Sequence, residues 1–199
     1  MNCIIYAKNI KSRDTKMAQN QRLFPSDYAN ECVKNIMDPG PCRGVPISYA
    51  NWELHKVSVD PKLMEHLAEH NGFGQTLAYV LLRFAAKSDE REVLLRFMSM
   101  KALMLRNTRC GSTALMGFFW GEKQNPRFTS LSNYLVDGKH VELTPAANVL
   151  SMLVQKGLTL SILTSQNDGA ETALEYIIDI VKVTPKDRAA VNTILGNLE

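Results

Sequence analysis

Residues 88–106 read SDEREVLLRFMSMKALMLR. Ser88 is a helix-capping residue, and Asp89 and Glu90 put negative charge in the first turn, where the helix dipole favours it. At helical spacing Val93, Phe97, Met100 and Met104 share one side and Leu94, Met98 and Leu105 another, which leaves Glu92, Arg96, Ser99 and Arg106 as a narrow polar stripe. A helix apolar over most of its circumference must be covered by other helices. The stretch therefore predicts an all-α fold, a compact bundle with this helix in its middle. Lys101 falls within the apolar circumference, so it must reach the rim, pair with a carboxylate or meet a ligand.

Working outward, the flanking sequence keeps the 3.6-residue period. Helices are predicted over Ser26–Met37, from Asp60-Pro61, over Gly74–Lys87, Ser112–Trp120, Pro145–Gln155, Ala170–Val183 and Pro185–Leu198. An acidic or hydroxyl residue before a proline opens three of them, at Asp60-Pro61, Thr144-Pro145 and Thr184-Pro185. Asp38-Pro39-Gly40-Pro41 stops the first and begins a long connection, with one short strand predicted at Leu54–Val59. Asp137-Gly138 is the pair of a tight hairpin turn, so Asn133–Leu143 is read as a small two-stranded excursion. Leu158–Thr164 fits strand and helix equally. The expectation is a bundle of about eight helices with at most one small hairpin, and no repeat of roughly 20 to 50 residues stands out.

Residues 1–24 are polar, basic and without sustained periodicity, the composition of a flexible basic arm; 25–199 then form one helical domain, divisible into lobes 25–128 and 129–199. A chain of 199 residues can bury a sizeable core, and its opening has too short an apolar patch for a signal peptide. No apolar run approaches the roughly 18 residues of a membrane span. Cys3, Cys32, Cys42 and Cys110 are scattered without a CxxC pair. Reduced thiols and a cytoplasmic location are the expectation.

The net charge of +3 is unevenly spread: residues 80–127 carry nine basic and four acidic side chains, whereas 128–199 carry five and eight. Such asymmetry points to a polyanion or an acidic partner surface.

Catalytic motifs are weak. His66-Leu67-Ala68-Glu69-His70 has the spacing of an inverted zinc-protease helix, with His66 and His70 one turn apart and Glu69 as base, but the surrounding strands such enzymes need are missing. A solvated helix end explains the same letters. Cys110, flanked by Arg106 and Arg109, lacks a histidine in a cysteine-protease context, and Met116 stands where a phosphatase needs arginine. Gly72-Phe73-Gly74 is no dinucleotide fingerprint. No cofactor, metal site or enzymatic activity is expected.

What remains is the basic midsection. Tyr79, Arg83, Lys87, Arg96, Arg106, Arg109, Lys123 and Arg127 lie on or between three consecutive helices with short connections, so their ends can converge on one flank. Tyr79 and Arg83, one turn apart, suit a stacked base beside a phosphate. Phe118, Phe119 and Trp120 point in different directions, and one or two of them belong to the core. The leading expectation is a non-enzymatic RNA-binding protein of nucleocapsid or coat type, holding single-stranded RNA through phosphates and self-associating as a homo-oligomer through its arm. The alternative is a helical protein-interaction, scaffold or matrix-like domain. A metal-dependent hydrolase at His66 and His70 stands third.

Overall fold

The computed structural model describes residues 23–37, 47–48, 58–59, 61–84, 88–124, 135–136, 139–140, 145–183 and 188–198. These residues are mostly helical, as the all-α reading expects. Helix α1 spans Asp27–Met37, α2 Pro61–His66, α3 Leu77–Phe84, α4 Ser88–Phe97, α5 Met100–Leu103, α6 Ala114–Gln124, α7 Pro145–Gln155, α8 Leu160–Thr164, α9 Ala173–Val183 and α10 Arg188–Gly196. Two ladders of two residues per strand accompany them, Ile47–Ser48 with Ser58–Val59 and Leu135–Val136 with Lys139–His140, both antiparallel. The second is the hairpin expected around Asp137-Gly138; the first exceeds the one hairpin allowed. Most of the arm, residues 1–22, lies outside the described residues. Its last two residues belong to the body: Phe24 is buried, and the Leu23 and Phe24 amides donate to the Asn30 side chain at 2.7 and 2.8 Å.

The helix read as continuous from Ser88 to Arg106 is two. It breaks at Ser99, whose extended backbone and hydroxyl, accepting from the Ala102 amide at 3.2 Å, cap a new short helix. A serine inside a helix competes for backbone donors, and here the local bond wins. The break turns Lys101 to solvent, leaves Phe97 exposed, and lets Leu94, Leu95, Met98 and Leu103 enter the core. Glu92, placed on the polar stripe, is buried. Leu158–Thr164 resolves as helix, because Thr159 caps α8 by accepting from the Ile162 amide at 3.3 Å.

A repeat emerges from the loops. Leu67, Leu103 and Leu163, all buried, each precede by four residues an asparagine: Asn71, Asn107 and Asn167. A residue with positive φ follows, Gly74, Gly111 or Ala170, and two positions later a threonine: Thr76, Thr113 or Thr172. Each threonine hydroxyl accepts from the amide three residues on, Tyr79 at 3.1 Å, Met116 at 3.2 Å and Glu175 at 3.2 Å, starting α3, α6 and α9. Ser26 does the same for α1, accepting from Ala29 at 3.1 Å. Asn71 and Asn167 hold their loops identically: each side-chain oxygen accepts two amides, from Phe73 and Gln75, and from Gly169 and Glu171. The expectation of no internal repeat is therefore corrected. Spacing concealed it, since the segment between α6 and α7 is far longer than that between α3 and α4.

Among the described residues three loop–helix–helix units, opened by Thr76, Thr113 and Thr172, follow a helix pair opened by Ser26. Their leading helices pack in order, α1 on α3, α3 on α6, α6 on α9, and α7 packs on α10 in the second row. The loops stack too: the Thr108 amide donates to the Gly74 carbonyl at 2.8 Å, and the Asp168 amide to that of Cys110 at 3.0 Å. Gly117 and Gly121 on α6 permit the closest approach, since a Cβ on Gly121 would lie 3.0 Å from the Arg83 carbonyl oxygen. Arg91 of α4 and Glu122 of α6 are both buried and pair at 2.6 Å. Among the described residues no helix is long and apolar enough to cross a membrane.

Candidate functional site

The repeat fixes which side chains share the inner row of leading helices. Three residues beyond the opening threonines stand Tyr79 and Met116; seven beyond stand Arg83 and Trp120. With Tyr176 of α9 and Ser112 and Glu171 from the loops, they line a small, half-open recess. Three consecutive units contribute to it.

Arg83 is the centre of the recess. Only 7% of it is exposed. Its guanidinium donates to the Tyr79 hydroxyl and lies 3.8 Å from the centre of the Trp120 ring, a close cation–π contact. Among the described residues its Nε has no hydrogen-bond partner. The contrast with Arg91, 2% exposed against a fully buried Glu122, is sharp, because the ion pairs among the described residues include none to Arg83. Across the recess Glu171 accepts from the Asn167 side chain at 3.0 Å and bonds the Tyr176 phenol. Burial, reinforced by the Glu171 charge, pushes that phenol far above its ordinary range, so it stays protonated.

The eight basic-flank residues do not share one environment. Tyr79 and Arg83, assigned to a polar face, are buried among helices; this corrects their expected exposure, and the cause is the close stacking of α3 on α6. Arg96 pairs with Glu92 at 2.9 Å, and Lys123 with Asp179 at 2.5 Å. Arg106 is exposed, but its guanidinium ties two loops together through the Gly111 carbonyl, the Gln166 carbonyl and the Ser165 hydroxyl, at 2.9, 3.2 and 2.6 Å. Arg109 is exposed and donates to the Gly72 carbonyl at 3.1 Å. Lys87 and Arg127 lie outside the described residues. Phe118 and Phe119 are core, as one or two of that trio were expected to be.

The His66 to His70 string does not lie on one helix. α2 ends at His66, which stacks on Tyr28 and bonds Glu69; His70 sits in the loop, its Nε2 3.2 Å from the Arg106 carbonyl oxygen. Among the described residues no three metal-ligating side chains gather. Cys110 is half-buried in its loop, its thiol 3.5 Å from the Ser112 hydroxyl.

Reading the sequence alone misses Ser112, Met116, Glu171 and Tyr176 as neighbours of Arg83. The available signal was the threonine register, which places 79 with 116 and 83 with 120. No protein-family model, curated protein or solved structure matches the chain.

Proposed function

We propose that the chain is a non-enzymatic protein-interaction domain, built as a short solenoid in which a tight loop and two helices recur, the layout of ankyrin-type repeats. The observation that carries this reading is the equivalence of the loops at Asn71, Asn107 and Asn167, each ending in a threonine that starts a leading helix. Stacked repeats of this kind present an extended surface of loop tips and inner helices, and function in such folds lies in that surface. Here the tips carry exposed Phe73 beside Arg109, and the inner row carries the Arg83 recess.

Selection of a random displayed peptide library on the full chain tests the proposal. Enriched peptides that lose binding to a Phe73→Ser, Arg109→Ser variant support it. Absence of any enrichment overturns it.

A second reading, single-stranded RNA held by a self-associating coat-type protein, draws on the exposure of Lys101, Arg106 and Arg109. It stands behind the first because Arg83 is internal and Arg96 and Lys123 have carboxylate partners. Titration with a short single-stranded RNA at several salt concentrations decides it: affinity that falls steeply with salt and is lost in Arg106→Ala, Arg109→Ala favours RNA.

A further inference from the structure

Resting on the interaction reading, we propose that the recess around Arg83 receives a carboxylate from a partner peptide, with the guanidinium as its anchor and Trp120 as the wall against which the incoming chain packs.

A buried guanidinium is costly unless its charge and donors are met. This chain meets that demand for Arg91 with Glu122 at 2.6 Å. Among the described residues Arg83 meets a phenol hydroxyl and the faces of Trp120 and Phe84, none of which carries negative charge, and its Nε has no acceptor. Arg83 also lines a recess, with Tyr79, Ser112, Met116, Trp120, Glu171 and Tyr176. Planar carboxylates match the fork of a guanidinium in a way no other common peptide group does.

The rest of the lining narrows the choice. Ser112 offers a hydroxyl, and Tyr176 a phenol held in its protonated form. Glu171 places one negative charge on the same wall. A single carboxylate on Arg83 adds one negative charge beside that of Glu171, whereas a dianionic phosphate adds two and meets the stronger repulsion. Aromatic walls at Tyr79 and Trp120 favour an amphipathic side chain, apolar along its stem and charged at its tip.

The chain has two tryptophans. The test therefore uses the full chain carrying Trp52→Phe, so that Trp120 reports alone. Three probes are titrated: Ac-Gly-Glu-Gly-NH2, Ac-Gly-Gln-Gly-NH2 and Ac-Gly-Gly-Gly with a free carboxyl terminus. A saturable change in Trp120 emission with either carboxylate probe, at least tenfold weaker with the glutaminyl probe and lost in Arg83→Gln, is expected; the stronger carboxylate probe identifies side chain or terminus as the source. Equal responses to the glutamyl and glutaminyl probes, a response that survives Arg83→Gln, or no saturable response overturn it.

Melting of Arg83→Met supplies a second measurement independent of any ligand. An uncompensated buried charge predicts that this variant melts no lower than its parent. A drop as large as that of Arg91→Met shows the Arg83 charge to be used within the fold and overturns the proposal. Library peptides that bind without depending on Arg83 would sink the carboxylate site and leave the interaction reading standing.

Discussion

The side-chain oxygen of Asn107 accepts the backbone amide of Thr76 at 3.0 Å, so the corner of one loop satisfies a buried donor in the loop before it. Asn167 repeats the relationship with a different donor, its amide reaching the Ser112 hydroxyl at 2.9 Å. The asparagines thus serve both as turn formers and as ties between layers.

Asn107→Ala strands the Thr76 amide and should cost about 1–3 kcal/mol, the penalty of an unsatisfied buried donor. Asn107→Asp keeps the accepting oxygen and should lose less. Urea denaturation of the two variants side by side checks the order.

Gly74, Gly111 and Ala170 occupy one position with φ of 74°, 64° and 60°. Left-handed backbone costs an alanine roughly 1–2 kcal/mol, while glycine loses about 0.4–1 kcal/mol through the unfolded chain. Ala170→Gly should therefore raise stability by somewhat under about 1 kcal/mol. Gly74→Ala should lower it by more, because its Cβ would lie 2.3 Å from the Thr108 hydroxyl oxygen. Opposite shifts in melting temperature are the expected result.

Removing one partner of the buried Arg91–Glu122 pair leaves the other charge uncompensated, so Glu122→Ala should cost about 3–5 kcal/mol. The double variant Arg91→Met, Glu122→Leu should recover most of that loss. A double-mutant cycle by chemical denaturation measures the coupling.

Gly121→Leu drives a side chain into the Arg83 carbonyl, where even a Cβ would sit at 3.0 Å. Overpacking here should cost about 1–3 kcal/mol despite the better helix propensity of leucine. A thermal melt provides the comparison.

Glu69 couples the opening of α1 to the loop after α2. Burial alone would raise its carboxyl, but bonds from His66, the Ser26 hydroxyl and the Ser26 amide, with the His66 charge, outweigh burial and hold it below the ordinary 4.5. A folded value below the unfolded one gives stability that is present above pH 4.5 and is lost as pH falls through the folded value. Glu69→Gln should therefore flatten the stability profile on the acid side of pH 4.5, as read from denaturation midpoints at stepped pH.

Helical character was legible because apolar residues recur at 3.6 spacing from Tyr28 to Leu198, and the starts at Pro61 and Pro145 fell where capping chemistry put them. The break at Ser99 was not, since its residues continue the apolar period and only the cap geometry separates α4 from α5. The recess was half legible. Tyr79 and Arg83 were singled out by their one-turn spacing, but their neighbours Glu171 and Tyr176 come from a unit far along the chain, and only the loop register aligns them. Charge counting could not tell the internal Arg83 from the solvated Arg109, because the deciding factor is how closely Gly117 and Gly121 let two helices approach.

The carbonyls of Gly74 and Cys110, each receiving an amide from the next loop, make a seam of short links running down one side of the stack. Tension drawn between the ends of such an array is borne joint by joint, with each joint answering chiefly to the pair beside it. Pulled apart in an optical trap, the chain should lengthen in discrete steps, and a lesion such as Asn107→Ala should bring forward one yield point while sparing the others.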